Sequence, residues 1–155
     1  MKKFFNKKLF YVDKSGKSPA LYLKKEMEVL DKKLINQLKI FSKKNHFKDS
    51  RICMHSSKSA KIQNMINIIY KKKNKNIFHK HLFKDEVYQI IKGQMKIIFV
   101  KRNKKKSVIL GKDNLIFRIK KNTFHQILPL SKFVIFHEIR EGPFFKNDSI
   151  FKKLV

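Results

Sequence analysis

From residue 64 onward the apolar residues fall in short runs separated by Lys, Asn, Asp and Gly, the pattern of strands joined by hairpin turns. The runs predict strands at Asn64 to Tyr70, Ile77 to His81, Val87 to Ile91, Met95 to Val100, Val108 to Leu110, Leu115 to Ile119, Phe124 to Leu128 and Phe133 to Ile139. Eight short strands at this spacing suit a double-sheet jelly roll. The first part of the chain has a different period. Met27, Leu30, Leu34, Leu38 and Phe41 recur at three and four residues, which predicts an amphipathic helix between Leu21 and about Phe41, packed on the side of the barrel. Before it, Phe4 to Val12 reads as an edge strand and Ser15-Gly16-Lys17-Ser18-Pro19 as a turn. Residues 1–48 are therefore expected to form an N-terminal extension with the helix, and residues 49–155 the barrel, in one structural domain. Lys71 to Lys75 and Lys101 to Lys106 read as charged, solvated loop tips.

Composition adds an unusual charge to this all-β picture. Lys and Arg total 39 against 11 acids, a formal net charge of +28. Such an excess suggests a polyanionic partner. Only four of the 39 are Arg, however, and Arg is the residue that reads guanine and clamps phosphate bidentately. Sequence-specific nucleic-acid recognition is thus not expected. Scarce Gly, Pro, Ala and Arg beside abundant Lys, Ile, Asn and Phe is also what an AT-rich genome produces, and both origins of the charge stand open. Cys53 is the single cysteine, so no internal disulfide can form. The basic start lacks the apolar stretch of a signal peptide, and no run approaches a membrane span. A cytoplasmic protein is expected.

The chemistry concentrates in His79-Lys80-His81-Leu82-Phe83-Lys84-Asp85-Glu86. Histidines at alternate positions share one face of a strand and can share one ligand. Glu86 opens the next run, and pairing of the two strands would bring its carboxylate to the imidazoles. His125 is a fourth candidate. Three imidazole nitrogens and one carboxylate oxygen suit a divalent transition metal with positions left open for water or substrate.

The same residues resemble a known motif. His79, His81, Glu86 and Gly93 match the first cupin motif at the family's spacing, and His125 stands where the second motif has its histidine. Lys120 and Asn122 replace that motif's usual proline and glycine; Asn tolerates the left-handed turn a glycine would fill. Ser50 to His55 and Glu138 to Phe144 resemble the two ends of the WbuC-type cupin metalloproteins, over roughly residues 28 to 145. The resemblance implies a cupin double-stranded β-helix, a metal held by His79, His81, Glu86 and His125 with Fe, Mn, Ni and Zn all admissible, and a setting in surface polysaccharide (lipopolysaccharide O-antigen) biosynthesis.

Three further residues are candidates for catalysis. Arg51, Cys53 and His55 alternate, so on a strand they face one way; Arg51 can pair with an anionic substrate and His55 can move a proton. Cys53 reads as a small buried residue. Of the neighbours His137 and Glu138, only one can face the pocket, and the family resemblance implies Glu138, as an acid or substrate-binding group. Tyr88 shares a face with Glu86 and reads as a core residue that could reach the cavity. The expected function is that of a metal cupin acting on a small polar substrate, a sugar or nucleotide sugar. The alternatives are a cupin that binds a small ligand without turning it over and a basic nucleic-acid-associated protein. Phe-rich strands leave room for a homodimer.

Overall fold

In the computed structural model, which describes residues 6–16, 18–24, 29–73 and 77–152, the alternating runs form two sheets. In chain order the elements are β1 (Phe10–Asp13), β2 (Ala20–Leu23), α1 (Lys32–Lys44), β3 (Ser50–Cys53), β4 (Ile62–Tyr70), β5 (His79–His81), β6 (Glu86–Lys92), β7 (Met95–Lys101), β8 (Lys104–Leu110), β9 (Ile116–Ile119), β10 (His125–Pro129), β11 (Phe133–Glu141) and β12 (Ser149–Phe151). One sheet has the order β1-β2-β3-β4-β11-β6-β9 and the other β12-β5-β10-β7-β8.

Between the sheets lies a core of Ile69, Tyr88, Met95, Ile97, Leu110, Ile119, Ile127, Val134 and Phe136. A second core, with Ile52, Ile66, Ile68 and Ile135, covers the other face of the larger sheet and packs against Leu34, Leu38 and Phe41 of α1. β4 is therefore covered on both faces, which is why Met65 to Tyr70 is so rich in apolar residues rather than cleanly alternating. Gly93 and Gly111 meet where two turns cross. Both have positive φ, 88° and 100°, and a Cβ on Gly111 would lie 2.1 Å from the Gly93 carbonyl oxygen.

The helix is shorter than its apolar spacing predicts. Ala20 to Leu23 is strand, antiparallel to β1 and parallel to β3, and Leu21 is fully buried in the sheet. The helix begins only at Lys32, where Asp31 caps it by accepting from the Leu34 amide at 2.8 Å. Strand pairing overrode helical period at Leu21, and Leu30 packs against the second core from outside the helix. Met27, Phe4, Phe5 and Lys17 lie outside the described residues. Lys104 to Lys106 belongs to β8 instead of a loop, because it pairs residue for residue with Phe99 to Lys101.

Asp49 carries the first prediction. Its carboxylate accepts from the Tyr70 amide at 3.1 Å, and burial pushes its pKa up to about 6. A carboxyl whose folded pKa lies above its unfolded value of 3.8 loses stability for the fold as pH rises between the two, and the loss persists above both. Asp49→Asn keeps the acceptor without the charge. It is expected to unfold like the wild type at pH 4 and to be more stable at pH 7, by about 1 kcal/mol once partial solvent access is allowed for. Urea denaturation at the two pH values checks this.

Candidate metal centre

His79 and His125 sit opposite each other on neighbouring strands of the smaller sheet. Their ring centroids are 4.4 Å apart. Glu86 comes from the other sheet. β5 and β6 do not pair, as the sequence suggested they might be brought together; the link Leu82 to Asp85 crosses between the sheets, and the carboxylate reaches the imidazoles across the interior. Ligand atoms of His79, Glu86 and His125 all lie within 4.8 Å of one another.

His81 completes the cluster through Glu86. Its Nε2 lies 3.1 Å from Glu86 Oε1, and His125 Nε2 lies 3.0 Å from Glu86 Oε2. The Tyr88 hydroxyl donates to Glu86 Oε2 at 3.0 Å, so this core ring also has its polar end in the site. Burial raises the Glu86 pKa, but the hydrogen bonds from His125 and His81 outweigh it and hold the carboxyl well below the usual carboxylate range. Burial, with the neighbouring His125, takes His79 down to about 4.

Each imidazole has its Nδ1 engaged on the far side of the ring: His79 with the Ile77 carbonyl at 3.0 Å, His125 with the Thr123 carbonyl at 2.9 Å and His81 with Asp148 Oδ2 at 2.9 Å. An Nδ1–H donated to an oxygen leaves Nε2 for a metal once the Nε2 proton that His81 and His125 direct at Glu86 is released. That is the tautomer a metal needs, and the outer acceptors fix ring orientation as they do around metal-bound histidines. The His79 and His125 nitrogens and the Glu86 carboxylate form an N/O set that fits a divalent transition metal, and His81 stands beside them on the same carboxylate.

Arg140 ties this cluster to a second carboxylate. β11 pairs with β6 so that Arg140 lies opposite Glu86 and Glu138 opposite Tyr88. The guanidinium Nη1 is 3.7 Å from Glu86 and 3.6 Å from Glu138. Glu138 also accepts from the Asn67 amide at 3.0 Å, and burial pushes its pKa up. His137 points to the other face of the strand, toward Asn64 and Gln89. Arg51 lies in β3, which β4 and β11 separate from β6, and His55 lies past the end of β3, outside the strand on which it was expected to alternate with Arg51. His55 packs edge-on against Tyr22, and its Nδ1 is 3.1 Å from both the amide and the carbonyl of Asn64. Burial pushes the Cys53 thiol up to about 11, leaving it a small apolar residue beside Ala20 and Met65.

Asp148 and Arg140 were not singled out by sequence reasoning. Arg140 had a signal, its alternation with Glu138 along one strand. Asp148 had none, being 67 residues from His81. It sits just before β12, accepts from the Phe83 amide at 3.1 Å and lies 4.0 Å from Lys84 Nζ. Lys84 is 3% exposed, donates to the Pro143 carbonyl and lies over the rings of Phe144 and Phe145. Asp148→Asn is expected to lower metal affinity by about 10- to 100-fold, the usual effect of removing an outer partner of a metal-binding histidine. A competition titration against a chromophoric chelator measures it.

Comparison with solved structures decides the architecture. The capsular polysaccharide assembling protein CapF from Staphylococcus aureus superposes with a TM-score of 0.55 at 19% identity, over 69% of this chain and 30% of CapF. Protein SO0799 from Shewanella oneidensis gives 0.53 at 14%, over 61% and 63% of the two chains. Oxalate decarboxylase from Bacillus subtilis gives 0.50 at 15%, over 60% and 24%. The fold is the cupin jelly roll. The chain spans less than two thirds of the length of each of these proteins. A scan against protein-family models gives no match, and neither does a search of curated proteins. Among the described residues no helix is long and apolar enough to cross a membrane, which says nothing of strand-built spans.

Proposed function

We propose that this chain is a mononuclear metal cupin of the WbuC type, acting on a sugar or nucleotide sugar in surface polysaccharide assembly. The observation that carries the metal is the convergence of His79, Glu86 and His125 within 4.8 Å, with His81 on the same buried carboxylate and each imidazole's Nδ1 tied off. His79, His81, Glu86 and His125 would hold the ion. A bound divalent metal supplies Lewis-acid polarisation of a substrate oxygen or an activated water. The polysaccharide setting is supported by the resemblance of the chain's two ends to WbuC-type cupins; CapF, also a polysaccharide-assembling protein by name, shares the fold.

The chain's own groups supply the rest. Glu138 faces the interior beside Tyr88, and its raised pKa makes it a better proton carrier near neutral pH than an ordinary carboxyl. Arg140 holds Glu138 and Glu86 in fixed relation. Arg51, on the same sheet, and His55, just past the end of β3, are assigned to substrate contacts.

Metal content of protein purified without an affinity tag tests the reading, with a His79→Ala/His81→Ala double variant alongside. About one divalent transition metal per chain is expected in the wild type and little in the variant. Metal absent from both after anaerobic reconstitution would sink the proposal. With metal in place, Glu138→Gln is expected to keep the ion and to slow turnover of a nucleotide-sugar substrate by about 100-fold or more, the range of a lost general acid or base. A variant that turns over normally leaves Glu138 a structural partner of Arg140 and Asn67.

A further inference from the structure

Residues at core-facing positions of one strand pair change character at the metal end of the barrel. On β7 and β8 the inward pairs are Met95 with Leu110, Ile97 with Val108, Phe99 with Lys106, and Lys101 with Lys104. The first two belong to the inter-sheet core, and Phe99 closes it by packing on Phe117 of the other sheet at 5.1 Å. Beyond Phe99 the same face carries only lysines. His125 pairs with Phe99 on its other side, so His79, His125, Phe99 and Lys106 form one row across four neighbouring strands. Lys106 is thus two strand spacings from His125, about 10 Å, and Lys101 and Lys104 lie about 7 Å further along.

These cations line a cleft of about 320 Å³ together with Arg102. Among the described residues, ion pairs join Lys58 to Asp13, Lys84 to Asp148, Arg118 to Asp85 and Arg140 to Glu86 and Glu138, and none reaches the four residues of this cleft. Arg102 and Asn103, at φ 51° and 59°, make the tight two-residue turn between the strands. Such turns favour Asn-Gly, so Arg102 holds a backbone conformation that side chains other than Asn and Gly disfavour. Lys101, Lys104 and Lys106 are all exposed, and lysines on an edge strand also discourage strand addition, but that role needs no cleft.

We infer that the tip of the β7–β8 hairpin is a phosphate-binding subsite, which takes the phosphate or diphosphate group of a small substrate whose remaining part reaches the metal centre. The assignment rests on the metal-cupin reading for its link to a reaction, while the anion site itself is tested separately. Lys and Arg side chains are flexible point charges and forks suited to phosphate oxygens, and a cleft lined by cations alone concentrates such anions.

Inorganic pyrophosphate is the probe, titrated calorimetrically into the protein as purified and again after chelation, with metal content read before and after. A Lys101→Gln/Lys104→Gln/Lys106→Gln variant is expected to bind it at least about ten-fold more weakly. A control, Lys71→Gln/Lys72→Gln/Lys132→Gln, removes the same charge from the opposite end of the barrel and is expected to change affinity less than about two-fold, because distant exposed charges are screened. Arg102→Gly, which suits the turn better, is expected to stay folded and still lose affinity. Equal weakening by the hairpin and control variants would overturn the subsite in favour of diffuse charge. Tighter binding to a duplex oligonucleotide than to pyrophosphate, lost in the hairpin variant, would overturn it in favour of a nucleic-acid surface. Pyrophosphate binding that survives in a metal-free His79→Ala/His125→Ala variant supports the subsite; absence of metal from the wild type counts against the metal-cupin reading alone.

Discussion

Replacing Glu86 by Gln is expected to lower affinity for a divalent transition metal by more than about 100-fold while leaving the barrel folded, since even outer partners of metal ligands are worth 10- to 100-fold. The side chain is 2% exposed and carries the anionic donor of the set. Gln matches its volume, so packing against Tyr88 is kept. Two losses then add. The charge that attracts the cation is gone, and the new amide N–H₂ faces the Nε2 of His81 or His125, 3.1 and 3.0 Å away. An amide donating to that nitrogen occupies the lone pair a metal would use. Competition against a chromophoric chelator gives the affinity, and far-UV circular dichroism with urea denaturation of the metal-free proteins shows that the fold persists. Equal affinity in the two proteins would remove Glu86 from the ligand set and leave it a buried acceptor for two histidines.

The fold was legible where a single face of a strand decides the pattern. Met95 to Val100 and Phe124 to Leu128 alternate because one side packs between the sheets and the other does not. It was misread where two faces or two periods compete. Leu21 fits a helical stripe, yet its backbone pairs with two strands and its side chain is fully buried there. Lys104 to Lys106 reads as loop by composition, but cross-strand pairing does not depend on apolar side chains. Asn122 takes the left-handed turn expected of it, at φ 61°, and its amide donates to the His81 carbonyl at 2.7 Å, joining the two motif regions. In the site, residues close in sequence could be named in advance, whereas Asp148 and Arg140 are brought in by pairings far along the chain. Acid scarcity held a clue. Of 11 acids in a chain of charge +28, Glu86, Glu138 and Asp148 are all placed beside the histidine cluster, where burial makes each one costly unless it is partnered.

That cost makes Arg140 a residue on which stability depends strongly. Its side chain is 12% exposed, and it lies within 4 Å of the buried Glu86 and the partly buried Glu138 carboxylates while its Nε donates to Gln63 Oε1 at 3.0 Å. Arg140→Met keeps the length of the stem but leaves Glu86 and Glu138 facing each other's charge without a cation between them. Removing one partner of a buried ion pair costs about 3–5 kcal/mol, much more than the intact pair contributes. Glu138→Gln alone is expected to cost little, because Arg140 keeps Glu86 and the Asn67 amide still finds an oxygen acceptor. The double variant Arg140→Met/Glu138→Gln is therefore expected to recover about half of the loss, as the repulsion between the two carboxylates has gone. Urea denaturation of the four metal-free proteins closes this cycle, and the coupling energy it returns is the measure. Additive effects would mean that the guanidinium is held by solvent and Gln63, with no electrostatic role between the carboxylates.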